Sequence, residues 1–276
     1  MIHRIVTLSR YFLRRLLFSL TGLIYILVGL AFWRVAFAPE QRTPDADYYV
    51  LVLGLFGAAV TFLVTLSVAT RAYQAVNDTL LVRLPSRVEY LTAVLVSALL
   101  FATGLQGLIA LLARWNGPGI ALGQALQIPP IWLSINILAG VLALHASDLV
   151  TAGWSRVYVF GLLALFLFGQ DANGPISRAM AGLANRLSSL FFRQGWVEPA
   201  TQLNNFASWS ANSGAQVIEQ VFGFIFWPFR AIANAIIGGR FDRIQALAPA
   251  VLLLYATILF MLAANFFATK DLFLTE

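Results

Sequence analysis

Few side chains in this chain of 276 residues could carry out chemistry. The chain has two histidines, His3 and His145, and Asp148 follows the second at a spacing that places both on one helix face. Such a pair could relay a proton or bind a metal, because imidazole titrates near neutral pH. No carboxylate cluster accompanies it, so we interpret it as a capping or interhelical hydrogen-bonding pair. A haem held by His3 and His145 is the alternative.

Sequence motifs of nucleotide-binding or catalytic sites do not occur in the chain. Its single lysine is Lys270, which rules out the pattern G-x-x-x-x-G-K-[ST], and the zinc pattern H-E-x-x-H is missing. The count of zero Cys excludes disulfides, iron–sulfur clusters, thiolate zinc sites and a cysteine nucleophile. We therefore expect a protein that is not an enzyme and that holds no metal or other cofactor of its own.

The most informative polar segment covers residues 71–90, between two long apolar runs. We expect it to be cytoplasmic and helical to about Arg83, after which Pro85 fixes a turn. Ser86 and Glu89 have the spacing of a capping box at the start of the next helix. A short rigid helix in this place can transmit a movement of a soluble partner to the two membrane spans that flank it. An ordinary capped helix entry is the alternative.

The end of this segment resembles a family signature. Residues 84–90, which read Leu-Pro-Ser-Arg-Val-Glu-Tyr within the stretch 80–91, are similar to the "LP-S-R-x-E-Y" signature of ABC-2-type transporter permeases. The resemblance implies that the preceding helix is a coupling helix, which docks on a separate ATP-binding subunit. The positions it implies for coupling are Arg71, Tyr73, Asp78, Arg83, Pro85, Ser86, Arg87 and Glu89.

The same resemblance implies a function for the chain. It would be the transmembrane permease subunit of an ATP-driven exporter, and would form the substrate pathway as a dimer with itself or with a homologous permease. Its other partners would be lipids and a cytoplasmic ATP-binding cassette subunit, which holds the ATP and Mg²⁺. The expected location is the inner (plasma) membrane of a prokaryote.

Six long apolar runs must position these residues. The chain is 60% hydrophobic and 11% charged, with a mean hydropathy of +0.80, which indicates a membrane protein. Each run is about long enough to cross a hydrocarbon layer of about 30 Å as a helix. The runs cover residues 16–37, 48–70, 90–113, 129–147, 154–170 and 246–268. We predict an all-α polytopic membrane protein with six transmembrane helices in a single transmembrane domain, 1–276.

The N-terminal residues 1–15 are predicted to form a helix on the membrane surface. Ile5, Leu8 and Phe12 share one face, while the four arginines of this segment can reach lipid headgroups. The positive-inside rule places both termini in the cytoplasm, because basic residues concentrate in the segments that this orientation puts inside. The same bias explains most of the net charge of +6, so we expect no nucleic acid partner.

Polar residues within the apolar runs are few and uncharged. Gln106, Asn136 and Asn265 are the best candidates for a weakly polar substrate path at a dimer seam, with hydrogen bonding between helices as the alternative. The small residues that would allow close approach of helices are Gly54, Gly57, Gly104 and Gly107. An ion-driven carrier usually needs an ionisable group near the midplane, and none is evident in the sequence.

A long external segment is predicted over residues 171–245. Its first part, Pro175–Arg193, is amphipathic, and residues 195–214 read as an ordered loop. Residues 217–239 are predicted to form a re-entrant or interfacial helix, with a seventh span as the alternative. We interpret the segment as an external gate, or as a cover on the membrane surface. The candidate gate residues are Phe222, Phe226, Pro228 and Phe229.

Two other functions stay open at this point. An accessory or scaffold subunit of a respiratory or photosynthetic membrane complex would use the 22 Phe and seven Trp to pack against lipids, pigments or neighbouring subunits. A secondary carrier would show a repeated pair of spans broken by Gly or Pro, and the sequence shows no such pair.

Overall fold

The computed structural model describes residues 1–38, 45–74, 84, 86–115, 117–120, 122–150, 161, 175–211, 225–237 and 245–269. Over these residues the chain is built from α-helices and one 3-10 helix, and no strand occurs among them. The chain divides into two compact units, Met1–Arg156 with Ala231–Glu276 and Val157–Arg230. The prediction of an all-α protein is confirmed for the described part.

The helices are numbered in chain order. They are α1 (Ile2–Leu17), α2 (Leu20–Ala36), α3 (Ala46–Ala72), α4 (Arg87–Arg114), α5 (Leu122–Ala146), α6 (Pro175–Arg193), α7 (Val197–Ala211), α8 (Trp227–Ile237) and α9 (Ala248–Thr269). A single 3-10 turn, Gln245–Leu247, precedes α9.

Within the described part of the chain, four helical stretches are long and apolar enough to cross a membrane: α3, α4, α5 from Ala125 onward, and α9 with its preceding turn. The bent pair of α1 and α2 makes a fifth when it is counted as one span. α3 and α4 have 27 and 28 residues, which gives about 40 Å of helix and exceeds a hydrocarbon layer of about 30 Å. The predicted runs at 48–70, 90–113, 129–147 and 246–268 each lie on one of these helices. The run at 154–170 falls outside the described residues except 161, so a total of six spans stays a prediction.

The predicted N-terminal helix 1–15 and first span 16–37 correspond to α1 and α2, and the break between them lies at residues 18–19 rather than at 15–16. Ser19 separates the two helices with an extended backbone (φ −109°, ψ 155°). Its hydroxyl donates to the Leu16 carbonyl oxygen at 2.7 Å and accepts from the Gly22 N–H at 3.2 Å, which caps α2. α1 and α2 therefore meet at a bend of 70°. Gly22 is needed at this elbow, because a Cβ there would overlap the Leu16 carbonyl.

The interior of the first unit is made by α3, α4 and α5, which pack against one another. α9 packs on α5 and α4, and α1 and α2 pack on α4. Several side chains donate to a carbonyl of a neighbouring helix, such as the Tyr49 hydroxyl to Ala110 at 2.8 Å and Trp132 Nε1 to Val50 at 3.0 Å. In a membrane these bonds satisfy donors that water cannot reach.

The second unit contains a helical hairpin formed by α6 and α7. α6 ends at a Schellman motif, in which Gly195 has φ 79°, Trp196 N–H donates to the Phe191 carbonyl at 2.9 Å, and these two rings stack. The Ser188 hydroxyl then donates to the Ala200 carbonyl of α7 at 2.8 Å. The prediction of a loop over 195–214 is wrong, since α7 covers Val197–Ala211. Pro199 lies in the first turn of α7, where its missing N–H is tolerated.

The described part of the predicted helix 217–239 is α8, which begins at Trp227. Pro228 therefore lies in the first turn of α8 rather than near the centre of a longer helix. With 11 residues, about 16 Å, α8 alone is too short to cross a membrane. Whether the whole segment is re-entrant, interfacial or a seventh span stays a prediction, because residues 217–224 and 238–239 lie outside the described part.

Candidate functional site

Arg87, the first residue of α4, contacts the end of α9. Its Nη1 donates to the carbonyl oxygens of Phe267 at 3.4 Å and of Ala268 at 3.2 Å. These carbonyls belong to the last turn of α9, where backbone oxygens lack partners within the helix and where the helix dipole favours a cation. Arg87 thus joins the start of α4 to the end of α9.

Glu89 faces α1 instead of capping its own helix. Its side chain is 6% exposed, and its Oε2 lies 3.5 Å from Nε of Arg4, which is half exposed. The predicted capping box is wrong, because Ser86 is the N-cap residue of α4 but makes no side-chain capping bond. A carboxylate withdrawn from water needs an opposite charge, and Arg4 provides one. Glu89 therefore forms the ion pair with Arg4 instead of completing a capping box with Ser86.

Tyr90 is fully buried where four helices converge. Its hydroxyl donates to the carbonyl of Ala72, the last residue of α3, at 2.8 Å. Its ring packs edge-to-face on Phe12 of α1 and stacks on Phe267 of α9, with centroids 5.4 and 6.4 Å apart. We call Arg87, Glu89 and Tyr90 the entry cluster, because together they join the start of α4 to α1, α3 and α9.

The other predicted coupling residues are placed as follows. Arg71 Nη2 donates to Thr21 Oγ1 of α2 at 2.5 Å, so this residue also reaches a neighbouring helix. Tyr73 follows the last residue of α3 and is 48% exposed. Asp78, Arg83 and Pro85 lie outside the described residues. Of the predicted set, Arg71, Arg87 and Glu89 therefore contact other helices of the chain, and about half of the Tyr73 surface is exposed.

Two of the three predicted pathway residues meet in the interior. Gln106 is 2% exposed; its Nε2 donates to the Leu53 carbonyl at 2.9 Å, and its Oε1 accepts from Asn136 Nδ2 at 2.6 Å. These bonds link α3, α4 and α5. Asn265 is exposed on α9 and does not belong to this buried pair. Gly57 leaves room for the Gln106 amide, since a Cβ there would lie 2.5 Å from Oε1.

Further polar oxygens line the seam between α3 and α5. Thr61 Oγ1, Thr65 Oγ1 and Asn136 Oδ1 are buried, and none has a hydrogen-bond partner among the described residues. Gly140 of α5 faces both threonines, because a Cβ there would lie 3.4 Å from Thr61 Cγ2 and from Thr65 Oγ1. The seam therefore contains uncharged polar oxygens that make no hydrogen bond within the described part of the chain.

The candidate gate residues lie at the start of α8. Phe226 is buried and its ring lies 6.3 Å from that of Phe229, which is half-buried, while Pro228 between them is buried. Phe222 lies outside the described residues. The structure thus brings Phe226, Pro228 and Phe229 together as one apolar group.

His145 makes the interhelical contact that its position predicted. Its Nε2 lies 2.8 Å from the Leu259 carbonyl oxygen, which links α5 to α9. Among the described residues, no group of three or more His, Asp or Glu side chains is placed to hold a metal ion.

Sequence reasoning missed two residues of this region, Arg4 and Tyr90. Tyr90 is the last residue of the signature that residues 84–90 resemble, and this position was the available signal. Nothing in the sequence distinguished Arg4 from the other arginines of α1, because its role depends on how α1 packs on α4. The chain matches no protein-family model, no curated protein and no solved structure.

Proposed function

We propose that this membrane protein is the permease subunit of an ATP-driven, ABC-2-type exporter. In this proposal two permease chains form the substrate pathway, and separate cytoplasmic subunits bind and hydrolyse ATP with Mg²⁺. Both termini and the segment 71–90 face the cytoplasm, and the membrane is the inner membrane of a prokaryote. The proposal extends the resemblance of residues 80–91.

The observation that carries the proposal is the entry cluster. The segment that would receive a push from an ATP-binding subunit runs directly into Arg87, Glu89 and Tyr90. Arg87 hydrogen-bonds to α9, Glu89 forms an ion pair with α1, and Tyr90 hydrogen-bonds to α3 and packs its ring against α1 and α9. Because packed helices move as rigid bodies, a displacement of the start of α4 would reach all three neighbours together.

The polar groups in the interior of the bundle support the expectation that the substrate carries no strong charge. The polar groups described at the middle of α3, α4 and α5, which include Gln106, Asn136 and Thr61, are uncharged. Charged substrates and ions usually require charged or coordinating groups within the spans. We therefore expect an amphiphilic or apolar substrate, moved by energy that enters from outside the bundle.

Docking and transmission can be tested separately. The first experiment purifies the tagged chain in mild detergent and measures the amount of ATP-hydrolysing subunit retained on it. Tyr73→Ala and Arg83→Ala should weaken this retention by about tenfold, the effect of losing about 1.4 kcal/mol of interface contact. The control is Trp115→Ala, which removes an aromatic residue 89% exposed at the other end of α4. The proposal would be contradicted if the tagged chain were purified together with redox subunits alone. It would also be contradicted if Trp115→Ala reduced the retained ATP-hydrolysing subunit as much as Tyr73→Ala and Arg83→Ala do.

The second experiment follows transmission through the entry cluster. The chain contains no Cys, so Ile2→Cys on α1 and Leu111→Cys on α4 can carry two spin labels without background labelling. We expect ATP to change the distance between the labels when the ATP-binding subunit is present. Glu89→Gln should keep that subunit bound and abolish the change, because the ion pair to Arg4 is lost. An unaltered distance change in Glu89→Gln would refute this role of the cluster.

A further inference from the structure

An open cavity lies against the last two turns of α1, next to the elbow at which α2 begins, and we call it the elbow cavity. α1 ends at Leu17, Ser19 caps α2, and the two helices diverge by 70°. The cavity has a volume of about 540 Å³, and its lining residues on one face of α1 and just after it are Tyr11, Arg14, Arg15 and Phe18. It therefore combines two guanidinium groups, one phenol and one apolar ring within a single concave surface.

The polar side of the cavity is suited to a phosphate group. Arg15 Nη1 donates to the Tyr11 hydroxyl at 3.4 Å, which holds this guanidinium beside the cavity. Within the described part of the chain, no carboxylate lies within ion-pair distance of Arg14 or Arg15. Guanidinium groups bind phosphate oxygens through paired N–H donors. Two of them without a counter-ion among the described residues favour the binding of an anion here.

Beyond the cavity, apolar side chains are exposed on α2. Phe18 is 84% exposed at the bend, and large apolar side chains remain exposed over the next two turns of the helix. These residues are Leu20, Leu23, Ile24 and Leu27. An acyl chain that starts at Phe18 would lie along this surface. A phosphate site beside exposed apolar side chains matches the two chemical parts of a phospholipid.

We propose that the elbow cavity binds one anionic phospholipid. Its phosphate lies between Arg14 and Arg15, with the Tyr11 hydroxyl as an additional donor, and an acyl chain packs on Phe18 and the exposed face of α2. This site is independent of the proposed transport function, because it requires no partner subunit. It differs from a general attraction between a basic helix and an anionic membrane, since only two of the four α1 arginines line the cavity.

Inorganic phosphate carries the same charged group as a phospholipid headgroup, so the experiment has to distinguish the binding of free phosphate from the binding of a lipid. The full chain in neutral detergent is titrated with phosphatidylglycerol, phosphatidylcholine or inorganic phosphate, and bound lipid is counted by native mass spectrometry. We expect one phosphatidylglycerol to bind at least tenfold more strongly than phosphatidylcholine. Inorganic phosphate at millimolar concentration should not displace it. Complete displacement by phosphate, or equal binding of the two lipids, would overturn the proposal.

Variants locate the site. Arg14→Gln and Arg15→Gln should each weaken phosphatidylglycerol binding by about tenfold, the usual effect of losing one charge-assisted contact. The matched control is Arg10→Gln, which makes the same change on α1 outside the cavity. Phe18→Ala is a second test that leaves all charges in place, and it should weaken binding of the long-chain lipid more than that of a short-chain analogue. An equal loss for Arg10→Gln and Arg14→Gln would show general electrostatic attraction and overturn the proposal.

Discussion

Replacing Gly57 with Ala should destabilise the interior of α3, α4 and α5. The added methyl group would lie 2.5 Å from Gln106 Oε1 and closer still to the other atoms of that amide. The Gln106 side chain is flexible enough to swing away, so the steric cost alone is small. Moving it, however, breaks its bonds to the Leu53 carbonyl and to Asn136 Nδ2.

The expected loss of stability follows from the breaking of these two hydrogen bonds. Interhelical hydrogen bonds in membranes average about 0.6 kcal/mol each, and a buried polar group left without a partner costs about 1–3 kcal/mol. Asn136 already has an unpartnered Oδ1 among the described residues, so losing its Nδ2 bond leaves the whole amide unsatisfied. We expect Gly57→Ala to lower the free energy of unfolding by about 1–4 kcal/mol.

The assay is reversible unfolding in mixed micelles of increasing SDS content, followed by tryptophan fluorescence. Gly107→Ala is the matched control, because no atom lies within 4 Å of a Cβ at that position. It should be neutral or stabilising by up to about 1 kcal/mol, the helix propensity difference between Ala and Gly. Gln106→Ala combined with Gly57→Ala should cost less than the sum of the single changes. Equal stability of Gly57→Ala and Gly107→Ala, or strict additivity, would refute the reasoning.

Three further predictions concern single contacts. Tyr90→Phe removes the bond to Ala72 but keeps the ring packing, and should cost about 1 kcal/mol by the same SDS assay. Gly195→Ala places a side chain at φ 79° and should cost about 1–2 kcal/mol, seen as faster amide exchange in α6 and α7, whereas Gly182→Ala should not. Ser19→Ala removes the cap of α2 and should lower the thermal midpoint in detergent by an amount equivalent to about 1 kcal/mol.

The long helices could be predicted well from the sequence, because each apolar run is long enough to cross a bilayer as a helix. Each run also contains few residues that would favour another structure. It was less accurate where a single polar side chain decides the local structure. The break between the N-terminal helix and the first span lies at residues 18–19 rather than at 15–16, because the Ser19 hydroxyl caps α2 and no count of hydrophobic residues reveals that cap. Similarly, the residues after Gly195 were read as a loop for their Asn, Ser and Trp content, although Pro199 suits a first helical turn.

Site residues were predicted with mixed success for a related reason. Gln106 and Asn136 were selected as polar groups inside spans, and they meet because each lies on the inner face of its helix. Asn265 satisfied the same criterion but lies on an exposed face, and hydropathy alone does not distinguish the faces of an apolar helix. The spacing of Ser86 and Glu89 predicted a cap, whereas the packing of α1 on α4 brought Arg4 to the carboxylate.

The bonds from Arg87 to α9 also impose an order on biosynthesis. α3, α4 and α5 follow one another closely in the chain and can pack as soon as they enter the membrane. Arg87 and its acceptor at Phe267 are separated by 180 residues, so this contact has to wait until α9 has been translated. The stacking of Tyr90 on Phe267 waits for the same event. The entry cluster is therefore completed late, and a nascent chain that stalls before α9 would carry a bundle that is unfinished at the start of α4.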